Sequence, residues 1–192
     1  MSHDPQPDQP CADLRYPYAT TATPTTSHID AGALTTHRFA DGGAYPPSYR
    51  AFVEQYGWAR TFGLWLIYPP VRDGFADGRR RAERLTDRFR AVYRDGQAEG
   101  FDWLVEPDGT WEVAETLEVF GWSENGDALL WEVSARSHDG EFPVWLSTGL
   151  DSLTLLGGDL VEALAVLAAS ASTGPAATDA ARAIEPLAAA RL

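Results

Sequence analysis

Leu117-Glu118-Val119-Phe120-Gly121-Trp122-Ser123-Glu124-Asn125-Gly126-Asp127-Ala128-Leu129-Leu130-Trp131-Glu132-Val133 is the stretch whose reading decides the fold class. Two runs rich in aromatic and aliphatic residues, 117–122 and 128–133, flank a polar break. Asn125-Gly126 favours a type I′ turn, because both of its central residues must adopt positive φ. A two-residue loop sets Trp122 opposite Leu129, Phe120 opposite Trp131 and Glu118 opposite Val133. One face of the hairpin is then almost wholly apolar and belongs in a core. Glu132, beside Val119, falls on the other face. Glu124 and Asp127 flank the tip and are the acids most exposed to solvent.

Working outward, 102–106 and 110–113 read as strands around Pro107-Asp108-Gly109, a turn signal. The alternation breaks at Glu115, so 112–118 also admits a helical turn. Residues 78–94 form an amphipathic helix with Ala82, Leu85, Phe89, Val92 and Tyr93 on its apolar side. Residues 62–68 read as one buried strand closed by Pro69-Pro70. Tyr45-Pro46-Pro47-Ser48 opens a helix whose stripe is Tyr49, Phe52, Val53 and Tyr56, and Gly57 ends it. Downstream, 143–147 and 153–156 are strand candidates. Asp159 can N-cap a helix reaching about residue 169, with Leu160, Leu164 and Leu167 on one stripe. Thr173-Gly174-Pro175 breaks it, and 176–191 reads as a peripheral Ala-rich helix. Residues 1–30 show no apolar period and read as a disordered or extended leader. The expected architecture is α+β, a mixed, largely antiparallel sheet with flanking helices. An N-terminal extension, 1–43, and a C-terminal helix, 171–192, would append to a domain at 44–170.

Hydrophobic residues make up 44% of the 192 and aromatics 11%, which fits a packed globule. The single cysteine, Cys11, excludes an internal disulfide framework. No signal-peptide pattern opens the chain and no run of about 18 apolar residues occurs, so the default expectation is a cytoplasmic protein. A net charge of −13, with arginine as the only strong base, opposes binding to nucleic acid and to anionic membranes, and suits a basic partner. The charges are segregated. Eight arginines lie between Arg72 and Arg94, whereas no basic residue occurs from Asp95 to Ala135, a stretch that holds eleven acids. The interleaved Asp73, Asp77, Glu83 and Asp87 favour a solvated helix face over an anion site for those arginines.

Catalytic chemistry is hard to find. His3, His28, His37 and His138 are scattered and form no metal-ligand pattern, so no metal and no cofactor is expected. Gly42-Gly43 and Gly157-Gly158 lack the Lys-Ser/Thr of a P-loop, and no Gly-x-Ser-x-Gly elbow exists. Paired carboxylates could serve a hydrolase, but the sequence places no two at catalytic separation. Trp103, Trp122 and Trp131 alternate with apolar neighbours and read as core.

The order of these elements resembles the SUKH superfamily, which includes fungal cell-wall-synthesis regulators and bacterial immunity proteins. Tyr45-Pro46-Pro47-Ser48-Tyr49-Arg50-Ala51-Phe52 resembles its opening helix. Residues 120–131 resemble its central pattern of aromatic residue, polar turn, Gly-Asp and apolar strand. Pro143-Val144-Trp145 matches the following strand, and Asp159-Leu160 stands where the family has a Ser-Phe helix start. Tyr45 replaces the usual leucine, and the arginine helix is an enlargement. The resemblance covers about residues 44–169. It implies a non-catalytic protein that neutralises a toxin, often a nuclease, by covering its active site. A regulatory scaffold module is the alternative it implies. Glu106, Asp108, Glu112, Glu124 and Asp127 are the expected partner-binding acids, facing a basic toxin domain.

Overall fold

The central hairpin forms strands β3 (Leu117–Ser123) and β4 (Ala128–Glu132), but with a different turn from the one expected. The computed structural model, which describes residues 14–76, 78–172 and 183–192, shows a three-residue loop. The Ser123 N–H donates to the Asp127 carbonyl (2.9 Å), and Gly126 takes φ 95°. The Ser123 hydroxyl holds this loop by donating to Asp127 and accepting the Asn125 and Asp127 amides. The register therefore slips by one at the tip, where Trp122 faces Ala128, and by two at the base of the hairpin, where Glu118 faces Trp131. A bulge between Val119 and Gly121 then restores Phe120 to the face of Leu129 and Trp131. Gly121 is needed beside it, since a Cβ there would sit 3.1 Å from the Leu66 carbonyl oxygen.

The sheet has seven strands, all paired antiparallel, in the order β6-β5-β4-β3-β2-β1-β7. The run expected as one strand at 62–68 is a tight hairpin of β1 (Ala59–Thr61) and β2 (Trp65–Ile67). Gly63 (φ 73°) makes the reversal possible, and Phe62 is drawn to φ 53° beside it. Strands β5 (Val144–Ser147) and β6 (Thr154–Gly157) extend the other side as expected.

Helices cover both faces. Helices α2 (Pro47–Tyr56) and α5 (Leu160–Ser172) pack on one side. There Phe120 and Trp131 stack at 4.3 Å and Tyr49 meets Trp131 edge-on at 4.8 Å. The N-terminus of α2 lacks a local side-chain cap; instead the Ser48 amide and hydroxyl donate to Glu141 at 2.7 and 2.6 Å. Asp159 caps α5 as read, accepting the Glu162 amide at 2.8 Å. On the other face lie α3 (Gly78–Glu99), a 3-10 helix (Asp102–Val105) and α4 (Trp111–Thr116). Phe89 and Tyr93 of α3 pack with Leu117, Val119 and Leu130. Arginine side chains such as Arg84 and Arg88 point to solvent.

Three expectations change. The strands expected at 102–106 and 110–113 are the 3-10 helix and α4, because Thr110 N-caps a turn by accepting the Val113 amide (3.3 Å). The helical alternative for 112–118 is the one that forms. Residues 14–43 are no loose extension. Tyr16 is 4% exposed and donates its hydroxyl to the Ser48 carbonyl, while Ile29 and α1 (Ala31–Thr36) with Leu34 enter the same core as α2. At the C-terminus, 184–186 form β7 (Ile184–Pro186) beside β1 instead of continuing a helix; 176–182 lie outside the described residues. Among the described residues, no helix is long and apolar enough to cross a membrane.

Candidate functional site

The acid-rich segment is shaped by how α3 ends. Gly100, at φ 74°, donates its amide to Gln97 (3.1 Å), and the Phe101 amide reaches back to Gly96 (2.9 Å). This is a Schellman-type stop. The residue that usually receives an apolar contact from the Phe101 position is Gly96, which has no side chain to offer. Phe101 instead stacks on Trp103, with centroids 4.5 Å apart and planes at 26°. The pair stays in solvent, Phe101 39% and Trp103 53% exposed. Trp103 is therefore not core, contrary to its sequence pattern; Trp131 is. Asp95 and Glu99 of α3, Asp102 of the 3-10 helix, Glu106 and Asp108 of the loop after it, and Glu112 and Glu115 of α4 are all exposed. The Trp111 indole N–H donates to Asp102 (3.0 Å) and ties the 3-10 helix to α4.

The five acids expected to bind a partner divide into two groups. Glu106 is exposed; its backbone amide donates to the Trp103 carbonyl (3.2 Å) and its carbonyl accepts the Leu153 amide (2.8 Å). Glu112 sits in the first turn of α4, where its backbone amide and the Thr110 hydroxyl hold the carboxyl below its ordinary range. Asp108 is exposed but accepts the outward amide of Leu155 (3.0 Å), which blunts the β6 edge. At the hairpin tip, Glu124 pairs with Arg60 at 3.1 Å, and Arg60 also faces Glu185 at 3.3 Å. Asp127 is half-buried and accepts the Gly149 amide (3.0 Å) besides the Ser123 hydroxyl. Glu106 and Glu112 keep exposed carboxylates in the segment that follows the aromatic pair, whereas Asp108, Glu124 and Asp127 already serve the fold.

A second feature had no sequence signal. Strand β2 stops at Ile67, so the N–H of Val119 on β3 has no strand partner and donates to the Thr86 hydroxyl of α3 instead (2.9 Å). The mouth left there is a cleft of about 90 Å³. Tyr45, Tyr49, Tyr68 and Trp131 wall it, and Glu83 and Glu118 are its charged lining. These residues come from α2, α3, β3, β4 and the flanking loops, a meeting that no local motif announces.

Among the described residues, no three His, Cys, Asp or Glu side chains converge in a way that could hold a metal ion. No family model matches the chain, and no curated protein and no solved structure shows significant similarity to it.

Proposed function

We propose that this protein acts by binding a basic protein partner, and that it is an immunity protein of SUKH type that neutralises a toxin domain by covering its active site. The observation that carries the reading is the stacked Phe101–Trp103 pair, exposed amid acids from a stretch without one basic residue. Exposed aromatic side chains are costly to leave in water and are the residues that dominate binding energy at protein interfaces. The net charge of −13 speeds encounter with a partner of the opposite sign, and the acids of 95–115 share this side with Arg90 and Arg94, which stand beside Trp111 and Glu115. A nuclease offers such a partner, because its substrate groove must be basic. The carboxylates of the patch supply attraction and orientation, with Glu106 and Glu112 foremost. No catalytic step is assigned to the protein.

Co-expression tests this reading. The C-terminal domain of the neighbouring gene product is induced with and without this chain. Growth only when both are present, with co-elution on a sizing column, is the expected result. Rescue should be lost with the pair Phe101→Ala and Trp103→Ala while the circular dichroism spectrum is unchanged. A toxic neighbour that this protein neither binds nor blocks would remove the immunity reading.

A further inference from the structure

The cleft beside β2 is independent of the acidic surface, and its chemistry is different. We propose that it binds a small alkylammonium group, held against aromatic walls and donating an N–H to the Tyr68 hydroxyl.

Three observations converge. The first is the buried hydroxyl. Tyr68 is 3% exposed and lines the cleft, yet its hydroxyl oxygen has no hydrogen-bond partner, whereas the neighbouring Tyr49 hydroxyl donates to the Tyr68 carbonyl at 2.6 Å. Buried polar atoms are almost always paired, and an orphan on a residue that lines a cleft is suited to receive a ligand's polar group. The second is the wall. Tyr45, Tyr49, Tyr68 and Trp131 are ordered rings, Tyr45 packing at 5.2 Å on Tyr49 and 6.1 Å from Trp131. Aromatic faces carry negative potential and attract alkylated ammonium ions, most strongly where water is excluded. The third is the charge. The acids among the lining are Glu83 and Glu118, and no arginine is among the described side chains that line the cleft. Glu118 also meets Arg90 at 3.7 Å, and Arg81 lies close enough to act on Tyr68, so the pocket is not overwhelmingly acidic. The rings, which arginine does not cancel, decide for a soft organic cation over a hydrated metal ion.

Size limits the ligand further. A single water needs on the order of 10–15 Å³ by the same measure, and about 90 Å³ takes a methylated ammonium headgroup but no peptide backbone. One chemistry fits two sources, a free alkylamine or the tip of a methylated lysine. The hydroxyl selects among alkylammonium ions: one retaining an N–H can satisfy Tyr68, whereas a quaternary ion cannot.

The test titrates the full chain with trimethylammonium, tetramethylammonium and tert-butanol, a neutral molecule of similar size, and follows the Trp131 indole signal by NMR. Saturable binding of trimethylammonium is expected, about tenfold tighter than tetramethylammonium, from one hydrogen bond to a charged donor. Tyr68→Phe, which keeps the ring, should abolish that difference and leave tetramethylammonium binding unchanged. N-acetyl-dimethyllysine methylamide separates the sources: tighter binding than trimethylammonium assigns the site to a protein side chain, and weaker or equal binding assigns it to a free amine. Equal binding of tert-butanol, absence of saturation with every ammonium ion, or a preference that survives Tyr68→Phe would overturn the proposal. Loss of growth rescue by Trp103→Ala does not bear on it, so the two readings fail separately.

Discussion

The two faces of the sheet are built in opposite ways. The face under α2 and α5 is a mosaic of rings drawn from the whole chain, from Tyr16 through Phe52 and Trp131 to Ile184. The face under α3 is mostly aliphatic, and its residues come from one continuous stretch, Phe89 to Leu153. A core assembled from distant segments depends on every one of them, because each covers rings that no other segment reaches. A core assembled locally is completed by its own helix, whose outer surface carries solvent-facing arginines such as Arg84 and Arg88. The acidic patch with Phe101 and Trp103 lies on this second side.

The largest test of that contrast is removal of residues 1–30. Tyr16, His28 and Ile29 are buried by it, so the shortened chain is expected to lose its cooperative thermal transition. A shortened chain that melts like the full one would return the segment to the status of a loose leader. Next come two neighbours on β4 that point to opposite faces. Trp131→Ala should cost about 3–5 kcal/mol and Leu130→Ala about 2–5 kcal/mol in denaturant unfolding. The indole loss should also broaden the signals of Phe39, Tyr49 and Phe120, whose rings it touches. Equal local effects on both faces would erase the distinction.

A smaller effect sits at Glu141, whose carboxyl burial pushes up from 4.5, opposed by the two Ser48 donors. A raised acid favours the protonated form in the folded state, so its stability contribution is full below 4.5 and fades as pH climbs through the folded value. The margin of wild type over Glu141→Gln should therefore narrow between pH 4.5 and 7, measured by urea unfolding. A margin that widens would contradict the burial argument. Smallest of all, Trp103→Ala should change stability by no more than about 0.5 kcal/mol, as for an ordinary surface position.

Much of this was legible in the residues. The Tyr49, Phe52, Val53 and Tyr56 stripe, the Asp159 cap and the antiparallel hairpin are local signals with local causes. The turn failed because Ser123, not Asn125, decides it: a hydroxyl bonding three partners outweighs the Asn-Gly preference. The α4 turn was visible in the break at Glu115, whereas its Thr110 cap lay hidden in a segment that reads as a strand. The leader could not be read, since Tyr16 and Ile29 follow no period and are placed by α2 and by the segment 70–72. In the candidate site, the acid-rich stretch was plain from charge alone. Which acids are spent on the fold was not, because the Arg60–Glu124 pair and the Asp127–Gly149 bond join residues far apart in sequence. Trp103 looked like core because its alternation is real; the Gly96–Gly100 stop turns it outward.

The most direct measurement is the salt dependence of association between this protein and the C-terminal domain of the neighbouring gene product, by stopped flow, for wild type and for the double variant Glu106→Lys and Glu112→Lys. The wild-type rate is expected to fall steeply with salt, and the variant to associate about tenfold more slowly at low salt with a flatter dependence. A variant whose rate matches wild type at every salt concentration would show that the partner does not meet this surface.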